Sequence, residues 1–121
     1  MKIISVKASE NYDVIVGSAI IPQIGTYISE LKTNCRAAII SDSNVWPFYG
    51  SCVSESLYNA GISSVHFVFP AGEASKNANT YLEILNFLAE NQITRSDIIV
   101  ALGGGVVGDI TGFTAATYLR G

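Results

Sequence analysis

Histidine is nearly missing from this sequence: His66 is the only one, and Cys35 and Cys52 are the only thiols. That scarcity excludes a histidine-rich metal centre. The cysteine spacing fits neither a zinc set nor the dense disulfide framework of a small secreted domain. Charge is scarce as well, at 14% of residues against roughly 25% in an average globular domain. The net charge of −3 is mild and the seven Lys and Arg residues are scattered, so no basic stripe offers itself to nucleic acid. The opening "MKIISVKASENY" lacks the long apolar stretch of a signal peptide. A cytoplasmic protein with reduced thiols is the expectation. The run from Ile98 to Leu119 is about long enough to cross a bilayer. Asp109 near its middle and its five glycines suit a ligand loop and a tightly packed helix better, so no membrane span is expected.

Apolar residues are what the chain has in quantity, at 49% of 121 residues. Strands buried on both faces would produce that composition, and so would a surface covered by another domain or subunit. The length suits one domain with a real core. Strand and helix patterns alternate along it. "KIISVKA" and "YDVIVGS" read as an N-terminal strand pair. Ile24, Tyr27, Ile28 and Leu31 fall on one face of a helix. "CRAAIIS" is a continuous apolar run of the kind a parallel strand shows when covered on both sides. Pro47 supports a helix starting near Asn44 with Tyr49, Val53 and Leu57 on its buried face, and Gly61 is its expected stop.

"SSVHFVF" is the next strand, in which His66 reads as structural, and Ser75 is the expected cap of a helix facing inward through Tyr81, Ile84, Leu85 and Leu88. "SDIIVAL" is a further buried strand leading into "GGGVVGD" and a last helix from about Val106. The fold expected is α/β: a Rossmann-like, mostly parallel sheet flanked by helices, with right-handed crossovers and an N-terminal strand pair. Residues 1–121 form a single nucleotide-binding domain in this reading.

In open sheets of this kind ligands bind at the carboxyl ends of the strands. Three exit loops are therefore the candidates: "SDSN", "PAGEASK" and "GGGVVGD". Gly103, Gly105 and Gly108 satisfy G-x-G-x-x-G between a strand and a helix, where a bare backbone lets a diphosphate approach unpaired N–H groups. Packing offers a second account, because Gly104, Gly108, Gly112 and Ala116 recur every four residues as a smooth ridge for close contact with the sheet. Asp109 sits in the expected first turn of that helix, either as a charge favoured by the helix end or as an acceptor for a ribose or substrate hydroxyl. Asp42 ends a strand and can accept ribose hydroxyls or cap a turn. Glu73 and Lys76 are solvated turn residues or ligand contacts.

The closing "GGGVVGDITGFTAATYLRG", with "SDSNV" and "PAGEASK" upstream, resembles the 3-dehydroquinate synthase family, in its N-terminal, nucleotide-binding half. The resemblance implies NAD as cofactor. It places Asp42, Ser43 and Asn44 at the adenosine ribose, Glu73 and Lys76 in the second nucleotide loop, Gly104, Gly105 and Val106 at the diphosphate, and Asp109 near the nicotinamide ribose. Arg120 matches an arginine that reaches a substrate phosphate in the neighbouring subunit's site. Asp109 and Arg120 share a helix face roughly 16 Å apart by helical rise, too far to serve one compact site with ease.

The implied reaction oxidises a ring hydroxyl of a seven-carbon keto-acid phosphate transiently, eliminates phosphate, returns the hydride and closes a carbocycle. The net class is a lyase of the shikimate pathway. The family's divalent metal (zinc or cobalt) is held by a glutamate and two histidines of a C-terminal helical domain, which this sequence lacks, so no metal ligand is assigned here. The expectation is a cut from a longer homodimeric enzyme, inactive by itself. Another sugar-phosphate cyclase, a polyol dehydrogenase of the same architecture, and a non-catalytic nucleotide-binding module are the alternatives.

Overall fold

The computed structural model describes residues 2–7, 11–16, 35–94 and 96–118, the first two segments as backbone. Among these, five strands form one sheet: β1 (Lys2–Lys7), β2 (Asn11–Val16), β3 (Ala37–Asp42), β4 (Ser64–Phe69) and β5 (Ile98–Leu102). Their order is β1-β2-β5-β3-β4. The first two strands pair antiparallel, and the other contacts, β2 with β5, β5 with β3 and β3 with β4, are parallel. The expected α/β sheet with its N-terminal strand pair is therefore observed. The helix expected around Ile24 to Leu31 lies outside the described residues.

Every residue of β3 and β5 is buried, which explains why both read as unbroken apolar runs rather than alternating ones. Alternate side chains of these strands point to opposite faces. Ala37, Ile39, Ile98, Val100 and Leu102 meet Val53 and Leu57 of α1 (Trp46–Asn59). Ala38, Ile40, Ile99 and Ala101 meet Ile84 and Leu88 of α2 (Ala78–Glu90) and Val107, Ile110 and Ala115 of α3 (Gly105–Tyr118). Among the described residues, one helix covers one face and two cover the other. β4 is the outer strand on its side and is only partly buried until Phe69. No helix among the described residues is long and apolar enough to cross a membrane.

Several local expectations shift in position. Tyr49 stays 41% exposed, and Gly50 takes its place on the buried face of α1. The Trp46 indole lies across that position so closely that a Cβ on Gly50 would stand 2.5 Å from it. The other side of the indole stacks on His66 of β4, with ring centroids 4.2 Å apart. Asn77, not Ser75, caps α2: its Oδ1 accepts the Thr80 N–H at 2.9 Å. Ser75 belongs to a short 3-10 turn (Glu73–Ser75) and its hydroxyl donates to the Pro70 carbonyl. Gly61 follows α1 with φ 79°, the left-handed geometry expected of a helix stop.

The amino edge of the sheet is closed by charge. The Arg36 guanidinium donates to the Asn91 carbonyl and, at 2.8 Å, to that of Gln92. Asp97 accepts the Arg36 backbone N–H at 2.9 Å and the Thr94 N–H at 2.9 Å. The Tyr118 hydroxyl reaches the Ile93 carbonyl at 2.6 Å, fastening the end of α3 to the same turn. Burial, with the Asp97 charge second, raises the Tyr118 pKa above its usual value.

Because Leu57 is wholly buried against β3 and β5 while Leu82 is 53% exposed, truncating the two should have unequal effects. Leu57→Ala is expected to lower unfolding stability by about 2–5 kcal/mol, and Leu82→Ala by no more than about 0.5 kcal/mol. Urea titrations followed by circular dichroism measure both, and equal losses would contradict the packing described.

Candidate nucleotide site at the carboxyl edge

The parallel strands β3, β4 and β5 end side by side, so the loops that follow them share one edge. Each loop is shaped by its own polar residues. After β3, Asp42 is nearly buried and its Oδ1 accepts the N–H groups of Asn44 at 3.0 Å and Val45 at 2.9 Å. One carboxylate oxygen therefore builds the turn that leads into α1, an Asx-type turn rather than a helix cap, since the N-cap is Val45 without a side-chain bond, and Pro47 follows in the first helical turn. Asn44 is exposed beside it.

Ser43 joins two loops. Its backbone N–H donates to the Phe69 carbonyl at 2.9 Å, and its Oγ accepts the Ala71 N–H at 2.9 Å. The loop after β4 then turns at Gly72, φ 115°, into the 3-10 segment carrying Glu73. Lys76 follows, and Asn77 starts α2.

The loop after β5 is Gly103-Gly104. An added Cβ on Gly103 would lie 2.6 Å from Val107 Cγ2, so the chain passes close over α3 there. Gly104 accepts the Gly108 N–H at 3.0 Å through its carbonyl. The N–H groups of Gly105, Val106 and Val107 thus belong to the first helical turn, which has no intrahelical acceptors for them. Gly104 and Gly105 are exposed, and Val106 is half-buried against the cluster shared with α2.

The glycine ridge does not do what its spacing suggested. Cβ atoms added at Gly104, Gly105, Gly108 or Gly112 would meet no described atom within 4 Å. The face of α3 that packs on the sheet is instead Val107, Ile110, Thr111, Thr114 and Ala115. A period of four residues marks one stripe of a helix but not which side of it is buried, and here the bulkier stripe wins the core because it removes more apolar area from water.

Asp109 is also displaced from its expected place, since α3 begins at Gly105 and carries no acidic residue in its first turn. The helix end therefore does not account for it. Its Oδ2 pairs with Lys76 Nζ at 3.1 Å, with the two side chains 64% and 46% exposed. The hydrogen bond and charge of Asp109, aided by Glu73, raise the Lys76 pKa above its ordinary 10.5. The pair borders a groove of ≈ 440 Å³ lined also by Asn77, Ala78, Tyr81, Ile110 and Phe113, the Tyr81 and Phe113 ring centroids being 5.0 Å apart.

Two of the sequence candidates, Lys76 and Asp109, are thus in direct contact, and Glu73 adds its field to theirs. Asp42, Ser43 and Asn44 occupy a separate turn on the same edge. Arg120 lies outside the described residues. Sequence reasoning passed over Ser41, whose buried hydroxyl donates to the Leu102 carbonyl at 2.8 Å, and the groove residues Tyr81, Ile110 and Phe113. A hydroxyl inside an otherwise apolar strand was the available signal for Ser41. Among the described residues, no group of three His, Cys, Asp or Glu side chains stands close enough to hold a metal ion.

Residues 66–121 match the family model described as 3-dehydroquinate synthase N-terminal. The chain is 46% identical over 110 residues to the 3-dehydroquinate synthase of Streptococcus suis, covering 91% of this chain and 31% of that protein. It is 45% identical over 122 residues to the Clostridium acetobutylicum 3-dehydroquinate synthase, covering 100% and 34%. The chain therefore spans about a third of the length of these curated relatives. Among solved structures it resembles the 2-epi-5-epi-valiolone synthase of Streptomyces hygroscopicus with NAD+ and Zn2+ bound, at TM-score 0.73 and 25% identity, over 95% of this chain and 31% of that one. A 2-deoxy-scyllo-inosose synthase complexed with carbaglucose-6-phosphate, NAD+ and Co2+ superposes with TM-score 0.75 at 22% identity, over 99% of this chain and 32% of that one, and speaks for the fold. By sequence the chain is similar to the N-terminal region of 3-dehydroquinate synthases.

Proposed function

We propose that residues 1–121 form the NAD-binding domain of a longer 3-dehydroquinate synthase. The complete enzyme would convert 3-deoxy-D-arabino-heptulosonate 7-phosphate to 3-dehydroquinate and phosphate. One observation carries the nucleotide site. Gly104 and Gly105 lack positive φ and leave room for a Cβ among the described atoms. Among the described residues neither packing nor backbone geometry there calls for glycine, whereas a diphosphate laid against the open N–H groups of α3 would. In this reading Gly104, Gly105 and Val106 hold the diphosphate, and Asp42, Ser43 and Asn44 the adenosine ribose. Glu73 and Lys76 flank the second loop, and Asp109 faces the nicotinamide ribose.

NAD bound there supplies a hydride acceptor and donor. The residues of this chain bind and orient it. Arg120 is assigned to a substrate phosphate in the neighbouring subunit of a cytoplasmic homodimer. The divalent metal, zinc or cobalt, is assigned to ligands in the rest of the longer protein. The names of the relatives support the activity, and the NAD+ in the two related synthases supports the cofactor.

Calorimetric titration of the chain with NAD is the direct test, with Gly104→Ala as the discriminating variant. Gly104→Ala is expected to change stability by no more than about 0.5 kcal/mol and to weaken NAD roughly tenfold or more. A parent chain that ignores NAD, or a variant that binds it equally well, would sink the nucleotide reading.

The Lys76–Asp109 pair gives a separate test by pH. A lysine whose pKa is raised by its partner keeps the full stabilisation below its ordinary pKa, 10.5 here, and loses it as pH rises through the raised value. Asp109→Asn is expected to bring the Lys76 titration midpoint down, as read from its Cε chemical shift. An unchanged midpoint would mean that the pair does not persist in solution.

A further inference from the structure

Ser41 lies one residue before the Asp42 turn and is wholly buried. It is also the last residue of β3 in the ladder with β5, where it stands opposite Leu102. Its hydroxyl donates to the Leu102 carbonyl at 2.8 Å. That carbonyl is the last of β5 and belongs to the planar peptide unit that continues into Gly103. Fixing the direction of its oxygen fixes the Gly103 N–H on the opposite side. The next constraint on the turn is the close approach of Gly103 to Val107, at the base of α3. The glycine turn is thereby held at its entrance by a hydroxyl and at its exit by an apolar contact, with the open helical N–H groups just beyond.

We infer that Ser41 is a positioning residue for the nucleotide: out of reach of any ligand, it sets the orientation of the Leu102–Gly103 peptide and so aims the glycine turn at the diphosphate. The inference rests on the nucleotide reading given above. It distinguishes Ser41 from a hydroxyl that merely satisfies a buried carbonyl, because a purely structural bond would affect unfolding and leave binding alone.

The test compares Ser41→Ala with the parent by two readouts, amide hydrogen exchange at Gly103 and Gly104 without ligand and the NAD dissociation constant. Ser41→Cys retains a weak donor of similar size and serves if the alanine variant does not fold. Ile62→Val, at a buried residue of the turn before β4 at the other edge, is the destabilised control. The expected result for Ser41→Ala is faster exchange at the turn and a Kd raised roughly tenfold, the scale of one well-made hydrogen bond, while Ile62→Val changes neither. Parent-like exchange, a parent-like Kd, or an equal weakening in Ile62→Val would each overturn the role of Ser41. Failure of the parent itself to bind NAD would overturn the nucleotide reading and the inference together, and is told apart by being seen before any substitution.

Discussion

The carboxyl edge depends on where the central ladder stops. β3 and β5 run parallel until Ser41 faces Leu102, and beyond that pair each strand bends into its own loop. Parallel strands cannot be joined by tight turns, so every exit loop must lead into a crossover. Here the exits lead into helices within a few residues: α1 after Asp42, α2 after the 70–77 loop, and α3 after Gly104. A one-residue slip of that ladder would turn the buried faces of β3 inside out. It would also separate the Ser41 hydroxyl from its carbonyl. Core packing and loop placement are thus fixed by one register.

The two edges of the sheet are finished differently, and the difference suits their tasks. At the amino edge a guanidinium, a carboxylate and a phenol lock the 91–97 turn. At the carboxyl edge the ties are mostly serine hydroxyls and backbone groups: Ser41 to Leu102, Ser43 to Ala71 and Ser75 to Pro70. Neutral ties hold loops in place without filling the edge with charge. The exceptions are the Asp42 carboxylate, which holds its own turn, and the exposed Lys76–Asp109 pair, where high-dielectric surroundings keep the attraction modest.

Much of the architecture was legible in the sequence because burial writes itself into composition. The apolar runs of β3 and β5 announced central parallel strands, and Ile84 and Leu88 announced the inner face of α2. Less legible were features that need a third dimension. The repeat of Gly104, Gly108 and Gly112 gave a stripe, but only the position of Val107, Ile110 and Ala115 decided which stripe faced the sheet. Asn77 displaced Ser75 as a cap because the 3-10 turn carried the chain two residues further before the helix began. For Asp109 the sequence offered a helix-end charge or a ligand acceptor, and gave no sign of its ion-pair partner Lys76 from a distant loop. Pairings across long sequence separations leave no periodic mark.

The stack of Trp46 on His66 has an optical consequence. These are the sole tryptophan and the sole histidine of the sequence, and they meet where α1 lies against the outer strand β4. The molecule therefore carries one indole fluorophore, clamped between a glycine and an imidazole at the border of its sheet, and light absorbed by indole but not by the tyrosine phenols excites it alone. Its emission reports on a single place: a strand added along β4, a shift of α1, or a charge appearing on the imidazole would each alter the light from one known indole.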